Sequence, residues 1–303
     1  MAKTSSVFED TVQTHIVACR LCNDSKYRNL FSADNIRKKT KRHFTVVQCE
    51  SCGFKYVNPM PTNESLMLYY HEYEAHEPKK IGTLEKIYYR LLRNPKKHKK
   101  PGKSLDIGCG NGKYLTFLRD QGWEAVGLDR GEGCQFPREV LGHNVLDGEI
   151  WEQNLPDNSF DLITSWWMIE HVLDPRRIVN ECQRILKPGG ELIISTMNVD
   201  SIESRMFKRY WWHLVLPEHI SQFDPKSFRR LVEQAGFEVF HFRHEPVTCG
   251  FIGSVQNYLD AKGVSFPVNN IFFKFLCIPV ELIFSLFRSS GMITLYAVKK
   301  SVK

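Results

Sequence analysis

No apolar segment follows the initial Met-Ala-Lys-Thr-Ser-Ser, so nothing there reads as a secretory signal, and the expected location is cytoplasmic. The most apolar stretch, residues 271–288, is interrupted by Lys274, Glu281 and Arg288. It is too short and too charged to read as a bilayer span. Acidic residues are in deficit: 34 Asp and Glu stand against 41 Lys and Arg, a net +7 that is concentrated in residues 37–42 and 96–103. Such clusters suit RNA, an anionic membrane surface or a phosphorylated substrate, and suit solvated loops equally well. What is present in quantity is apolar: 303 residues with 42% hydrophobic side chains can hold one α/β domain plus a smaller attachment.

Nine cysteines in a chain expected in the cytosol read as metal ligands and buried thiols, not as disulfides. Four of them form a pattern. Cys19 and Cys22, then Cys49 and Cys52, make C-x2-C twice, and each pair can grip one ion through a tight turn. Four thiolates arranged tetrahedrally are a structural Zn²⁺ site, closed on all sides and so a folding device with no open position for chemistry. The basic residues 36–42 between the pairs are expected at a hairpin tip.

Residues 103–113, KSLDIGCGNGK, read as a short buried strand running into a glycine turn and then a helix. Gly108, Gly110 and Gly112 remove side chains where the backbone must bend and a ligand can approach. A second apolar run ends in Asp129, about twenty residues on, where an α/β fold places an acid to accept ribose hydroxyls. Asp106, just before the turn, would repel a pyrophosphate but can hold the cationic amino group of an amino-acid moiety. LDIGCGNG and VGLD together resemble motifs I and II of the class I S-adenosylmethionine (SAM)-dependent methyltransferases. SFDLI at 159–163, IEHV at 169–172 and RILKPGGEL at 184–192 continue the resemblance in order. Residues 53–62, GFKYVNPMPT, are similar to the linker of methyltransferases that carry an N-terminal zinc ribbon and act in glycan or sugar-nucleotide modification.

The resemblance implies a Rossmann-like seven-stranded α/β sheet. We expect a zinc ribbon and linker over 1–61, a helical lid or linker over 62–102, and a SAM-dependent domain over 103–303 with an apolar helical insert at about 244–291. Strands are expected at 104–107, 124–128, 143–146, 160–165, 191–196 and 237–242, with an antiparallel seventh at 292–298. Helices are expected at 62–73, 81–93, 175–186 and 225–235, the last two opened by Asp-Pro. Two readings of 271–288 stay open: an interfacial helix kinked near Pro279 that touches a membrane, or a helix packed on the domain or on a second subunit of a homodimer.

Ligands of such a sheet bind beyond the carboxyl ends of its strands. Asp106, Gly108, Cys109, Gly110 and Gly112 are therefore expected at the amino-acid end of SAM, Asp129 at the ribose and Asp147 near adenine. Trp166 and Trp167 are expected to cover the adenosine, wall the acceptor pocket or simply pack. Tyr69, Tyr70 and Tyr73 are read either as a lid or as packing between domains. Methyl transfer to a hydroxyl needs a base, and His219 and His171 are the candidates. IEHV resembles a block of the O-methyltransferases of coenzyme Q biosynthesis, in which an acid three residues before the Glu helps to bind a metal. Here that place holds Trp167, which puts a catalytic metal in doubt. The expected reaction is transfer of methyl from SAM to a small-molecule acceptor, a hydroxyl of a sugar, sugar nucleotide or lipid-linked glycan. The alternatives are an RNA methyltransferase using the ribbon and Lys clusters, and a non-catalytic SAM-binding module. Against RNA, the sequence has neither an Asn-Pro-Pro-Tyr block nor paired catalytic cysteines.

Overall fold

The computed structural model describes residues 12–35, 42–70, 81–95, 100–246, 248–268 and 271–300. Most of the two basic clusters, the hairpin tip and Tyr73 lie outside the described residues, as does the side chain of Tyr70.

Seven strands form the main sheet: β6 (Lys103–Ile107), β7 (Glu124–Asp129), β8 (Asn144–Asp147), β9 (Phe160–Trp166), β10 (Leu186–Met197), β12 (Phe237–Glu245) and β13 (Met292–Lys299). Their order is β12-β13-β10-β9-β6-β7-β8. Neighbouring pairs from β10 to β8 are parallel, whereas β13 runs antiparallel between β10 and β12, with Glu191 opposite Val298 and Met197 opposite Met292. The central strand β6 is buried from Ser104 through Ile107, as a strand covered on both faces must be. Strand order reverses around β6, which opens a crevice at the carboxyl ends of β6 and β9.

Helices α3 (Lys113–Asp120), α4 (Glu132–Glu139), α5 (Pro175–Ile185) and α7 (Pro225–Gln234) cover the sheet. Both expected Asp-Pro starts form as read: Asp174 caps α5 by accepting from the Arg177 N–H, and Asp224 caps α7 by accepting from Lys226 and Ser227. The expected stop of α5 differs by more than its boundary. The helix ends at Ile185, and Leu186 through Gly190 already run as strand β10, with a register shift against β9 between Leu186 and Glu191. The glycines thus serve a bulge as well as a helix end.

Residues before β6 form a smaller antiparallel sheet of β2 (Tyr27–Ala33), β3 (Phe44–Cys49) and β4 (Lys55–Val57), with β1 (Thr14–His15) pairing β5 (Met60–Pro61) beside it. A fourth strand joins this sheet from far along the chain: β11 (Ser221–Gln222) pairs with β4, Ser221 opposite Tyr56. Helices α1 (Asn63–Tyr70) and α2 (Thr83–Leu92) connect the two sheets. Tyr69 is buried edge-on against Phe44, 6.2 Å between ring centres.

Between β10 and β11 lie α6 (Ile202–Phe207) and a 3-10 turn, Lys208–Tyr210. Between β12 and β13 lie the two insert helices, α8 (Thr248–Ala261) and α9 (Ile271–Leu286). The polar edge of α9 faces the protein. Glu281 is buried and accepts from the Phe251 N–H at 3.3 Å, and the Ser285 hydroxyl donates to the His244 carbonyl at 2.6 Å. No helix among the described residues is long and apolar enough to cross a membrane.

Candidate active site

At the carboxyl ends of β6, β7 and β9 the crevice opens into a cavity of about 780 Å³. Gly108, Gly110, Asp129, Trp166, Trp167 and His171 line it. Sequence reasoning missed its near wall, which comes from α1 as Asn63, Leu66 and Met67. These side chains carry no motif, and only the packing of α1 across the sheet end brings them there.

The glycine turn is left-handed at Gly108, Gly110 and Gly112, with φ of 74°, 49° and 72°, which a side chain would strain. A Cβ added at Gly110 meets no atom within 4 Å. The turn therefore faces open cavity at that point. Asp129 accepts from the Gly110 N–H at 2.6 Å and from the Arg130 N–H at 2.8 Å, and burial raises its pKa. Asp147 accepts from the Gly131 N–H at 2.9 Å, while the adjoining Gly148 and Glu149 line the cavity. Cys109 points away, buried with Leu115, Cys134 and Val145, and Gly112 packs on Pro137 and His143 at the start of α3.

Asp106 is buried at the base of the turn and accepts from the Thr164 hydroxyl at 2.6 Å. Burial pushes its pKa up to about 7, against the pull of that hydrogen bond and of the Arg93 charge. Arg93, just past α2, was not foreseen in the sequence. Its guanidinium is buried over the rings of Trp166 and Trp167, 4.4 and 4.3 Å from their centres, and over Tyr88 and Tyr89. Its Nε is buried with no hydrogen-bond partner. Neither Asp106 nor Arg93 is among the residues that line the cavity, but an acid and a guanidinium that interact with each other near the glycine turn are groups of the kind that pair with an amino-acid zwitterion.

Trp166 is largely buried, edge-to-face against Tyr114, and lines the cavity. Trp167 is the wall proper: 37% exposed, it adopts φ of 55°, a left-handed conformation that costs a bulky residue energy. Four residues on, His171 lines the cavity and His219 lies against it, the rings edge-to-face with centres 4.5 Å apart. His171 Nδ1 is 3.1 Å from the Glu218 carbonyl, and His219 Nδ1 is 2.7 Å from the His213 carbonyl. A carbonyl only accepts, so both rings carry a proton on Nδ1 and turn Nε2 elsewhere. Burial pushes the pKa of His171 down to about 4, and burial pushes that of Glu170 up to about 7. Glu170 accepts from the Thr196 hydroxyl at 2.9 Å. The ligating atoms of Glu170, His171 and His219 lie within 4.8 Å of one another, an arrangement that can share protons or hold a cation.

In the small sheet the Sγ atoms of Cys19, Cys22, Cys49 and Cys52 also lie within 4.8 Å of one another. Leu21 N–H donates to Cys19 Sγ at 3.4 Å, and the turns after each pair close through Asn23 N–H to the Cys19 carbonyl and Gly53 N–H to the Cys49 carbonyl. This donor set fits a tetrahedral Zn²⁺ ion. It stands apart from the cavity but is coupled to it: β11, two residues after His219, is hydrogen-bonded to β4, and Asn35 donates to Glu218 at 3.2 Å.

Comparison with known proteins agrees with this geometry. A family model described as a methyltransferase domain matches residues 78–241, more than half of the chain. A probable S-adenosylmethionine-dependent methyltransferase of Mycolicibacterium smegmatis is 31% identical over 185 residues, 59% of this chain and 65% of that protein. A ubiquinone biosynthesis O-methyltransferase of Pseudomonas aeruginosa is 31% identical over 157 residues, 45% of this chain and 65% of that protein. The chain thus spans 65% of the length of each of these two curated relatives. Among solved structures, a candidate sarcosine dimethylglycine methyltransferase from Galdieria sulphuraria superposes with a TM-score of 0.50 at 19% identity, over 78% of this chain and 99% of that one. At that identity the likeness concerns the fold.

Proposed function

This chain belongs to the class I S-adenosylmethionine-dependent methyltransferases, and on that premise we propose that it methylates a hydroxyl of a small molecule, a sugar, a sugar nucleotide or a lipid-linked glycan. The observation that carries the O-directed reading is His171 at the wall of the cavity, with His219 and Glu170, which do not line it, packed close to its ring. When bound, SAM supplies an electrophilic methyl group on its sulfonium. The chain's part is to orient the acceptor and to take its proton.

Asp106 and Arg93 would hold the amino and carboxylate groups of the cofactor, the turn at Gly108 and Gly110 would let it lie against bare backbone, and Asp129 would take the ribose hydroxyls. His171, held neutral by burial, keeps a lone pair on Nε2 at neutral pH. Its weak basicity is the cost of that burial, and an ionised Glu170 beside the pair would offset it by stabilising the charged ring. His219 would orient His171 or pass the proton on. The four cysteines would hold a structural Zn²⁺, whose role is to fix β4 and, through it, the strand that follows His219. The glycan class rests on the likeness of the ribbon and its linker to ribbon-bearing methyltransferases.

The test is transfer of labelled methyl from SAM into cell extract divided into RNA, organic-soluble lipid and aqueous small molecules. Label in the lipid or aqueous pool supports the proposal. Label confined to RNA overturns it and gives the Lys clusters and the ribbon to nucleic-acid binding.

A further inference from the structure

The insert helix α9 is apolar around most of its circumference, yet among its described side chains only one stripe, Cys277, Glu281 and Phe284, is buried. The opposite side presents Phe275, Leu276, Leu282, Ile283, Leu286 and Phe287 to solvent, with Leu286 81% and Phe287 75% exposed. Ten of the eighteen large hydrophobic side chains exposed among the described residues fall between 258 and 287. They form a patch and are not the scatter that an ordinary surface shows. Rotating α9 to hide this face would pull Glu281 and Ser285 out of their bonds to Phe251 and His244. The outward orientation is therefore fixed by the polar edge.

We propose that this face docks on the surface of an anionic lipid bilayer. Charge around the patch selects that occupant. From Tyr258 to Gly291 the acids are Asp260, which accepts from the Gln256 amide at 2.6 Å, and Glu281, which is buried; Lys262 and Arg288 are exposed at either end of the apolar segment. The cationic rim continues through a chain of ring contacts, Arg209 over Tyr210, Tyr210 edge-to-face with Tyr258, and Lys262 over Tyr258, at 5.0, 5.5 and 6.0 Å. Apolar side chains flanked by Arg209, Lys262 and Arg288 match acyl chains beneath anionic headgroups. A second copy of the chain would instead bring two cationic rims together. At sixteen residues α9 is about 24 Å long, short of the ~30 Å hydrocarbon core, so it would lie in the interface plane. The docking rests on this face alone and not on the identity of the acceptor.

The test is flotation of the full chain with vesicles of phosphatidylcholine, with and without phosphatidylglycerol. The protein is expected to float with the anionic vesicles and to be released by salt. The double variant Leu286→Asp with Phe287→Asp should bind them about tenfold or more weakly while keeping its affinity for SAM. If the aspartates disturb the insert, Lys262→Glu with Arg288→Glu reads the same surface through its charge and should also lower binding. Failure of the unmodified chain to float overturns the proposal. So does a concentration-dependent dimer that the double aspartate variant dissociates, because the face is then covered by a second copy.

Discussion

The ribbon and the insert are both additions to one seven-stranded sheet, but they are attached by different physics. The ribbon shares backbone hydrogen bonds with the catalytic part, β4 with β11, and buries Asn35 against Glu218. The helices of the insert are held by side chains, although the chain leaving α9 also accepts the Ile202 N–H at the Ser289 carbonyl: Glu281 and Ser285 of α9 bond to backbone groups, and Glu281 meets Glu203 of α6, whose carboxylate also accepts from the Gly291 N–H at 3.0 Å. Backbone pairing fixes register and transmits position. A buried carboxyl pair fixes position only while it shares a proton. Disturbance of the ribbon should therefore reach the His171–His219 pair, whereas disturbance of the insert should remain local.

The largest effect is expected from the ribbon. Replacing Cys49 and Cys52 together by Ser should remove the metal, loosen β4 and β11, and lower turnover on the order of a hundredfold or more. Metal content and turnover check it; full activity without metal would mean that the ribbon does not support the site. Gly110→Arg should abolish SAM binding, because the side chain fills the open space at the turn, while the metal content stays intact. Retained SAM affinity in that variant would place the cofactor elsewhere.

Next come the histidines. His219→Ala and His171→Ala should each lower turnover by roughly 10²-fold with SAM affinity spared, and the turnover of the unmodified chain should rise through about pH 7 as Glu170 ionises. Normal turnover in both variants would remove the base from the mechanism. SAM affinity should follow the same direction for a different reason, since Asp106, pushed up to about 7, must be ionised to meet an ammonium group; Asp106→Asn should flatten that dependence.

Smaller effects sharpen the contrast from the insert side. The pKa of Glu281 is pushed up from 4.5 to about 9 by burial and by Glu203. The folded state then binds more protons than the unfolded one between those values, so stability declines as pH rises through that window. Glu281→Gln should weaken this decline and protect the insert at pH 9, by about 1–2 kcal/mol, read as slower amide exchange in α9. Smallest of all, Lys55→Ala breaks a partly exposed ion pair with Asp200 at 2.9 Å and should cost no more than about 1 kcal/mol by thermal unfolding.

What could be read from the sequence follows from how local each constraint is. The positions of the strands along the chain, the Asp174 and Asp224 caps, the glycine turn with Asp129 and the paired cysteines are each set by residues within a few positions of one another, or by a spacing of about twenty residues that the α/β unit imposes. Residues brought in from other elements were not legible. Arg93 follows a helix that precedes the sheet, and nothing nearby in sequence signals that it stacks on Trp166 and Trp167. The wall from Asn63, Leu66 and Met67 is of the same kind, as is the edge-to-face contact of His171 with His219 across 48 positions.

The sequence by itself determined six strands, the glycine turn and the cysteine pairs, because hydrophobic period, turn chemistry and ligand spacing act over short distances; the family and its antiparallel seventh strand came from the resemblance of the motifs. Tertiary structure alone decided which polar groups meet in the cavity, that β11 closes the ribbon sheet, and that α9 turns its charged edge inward and its apolar face out. The physical reason for the last is that an apolar run is ambiguous on its own. Which side faces the protein depends on where the partners of Glu281 and Ser285 lie, and those partners, Phe251 and His244, are placed only when the chain has folded.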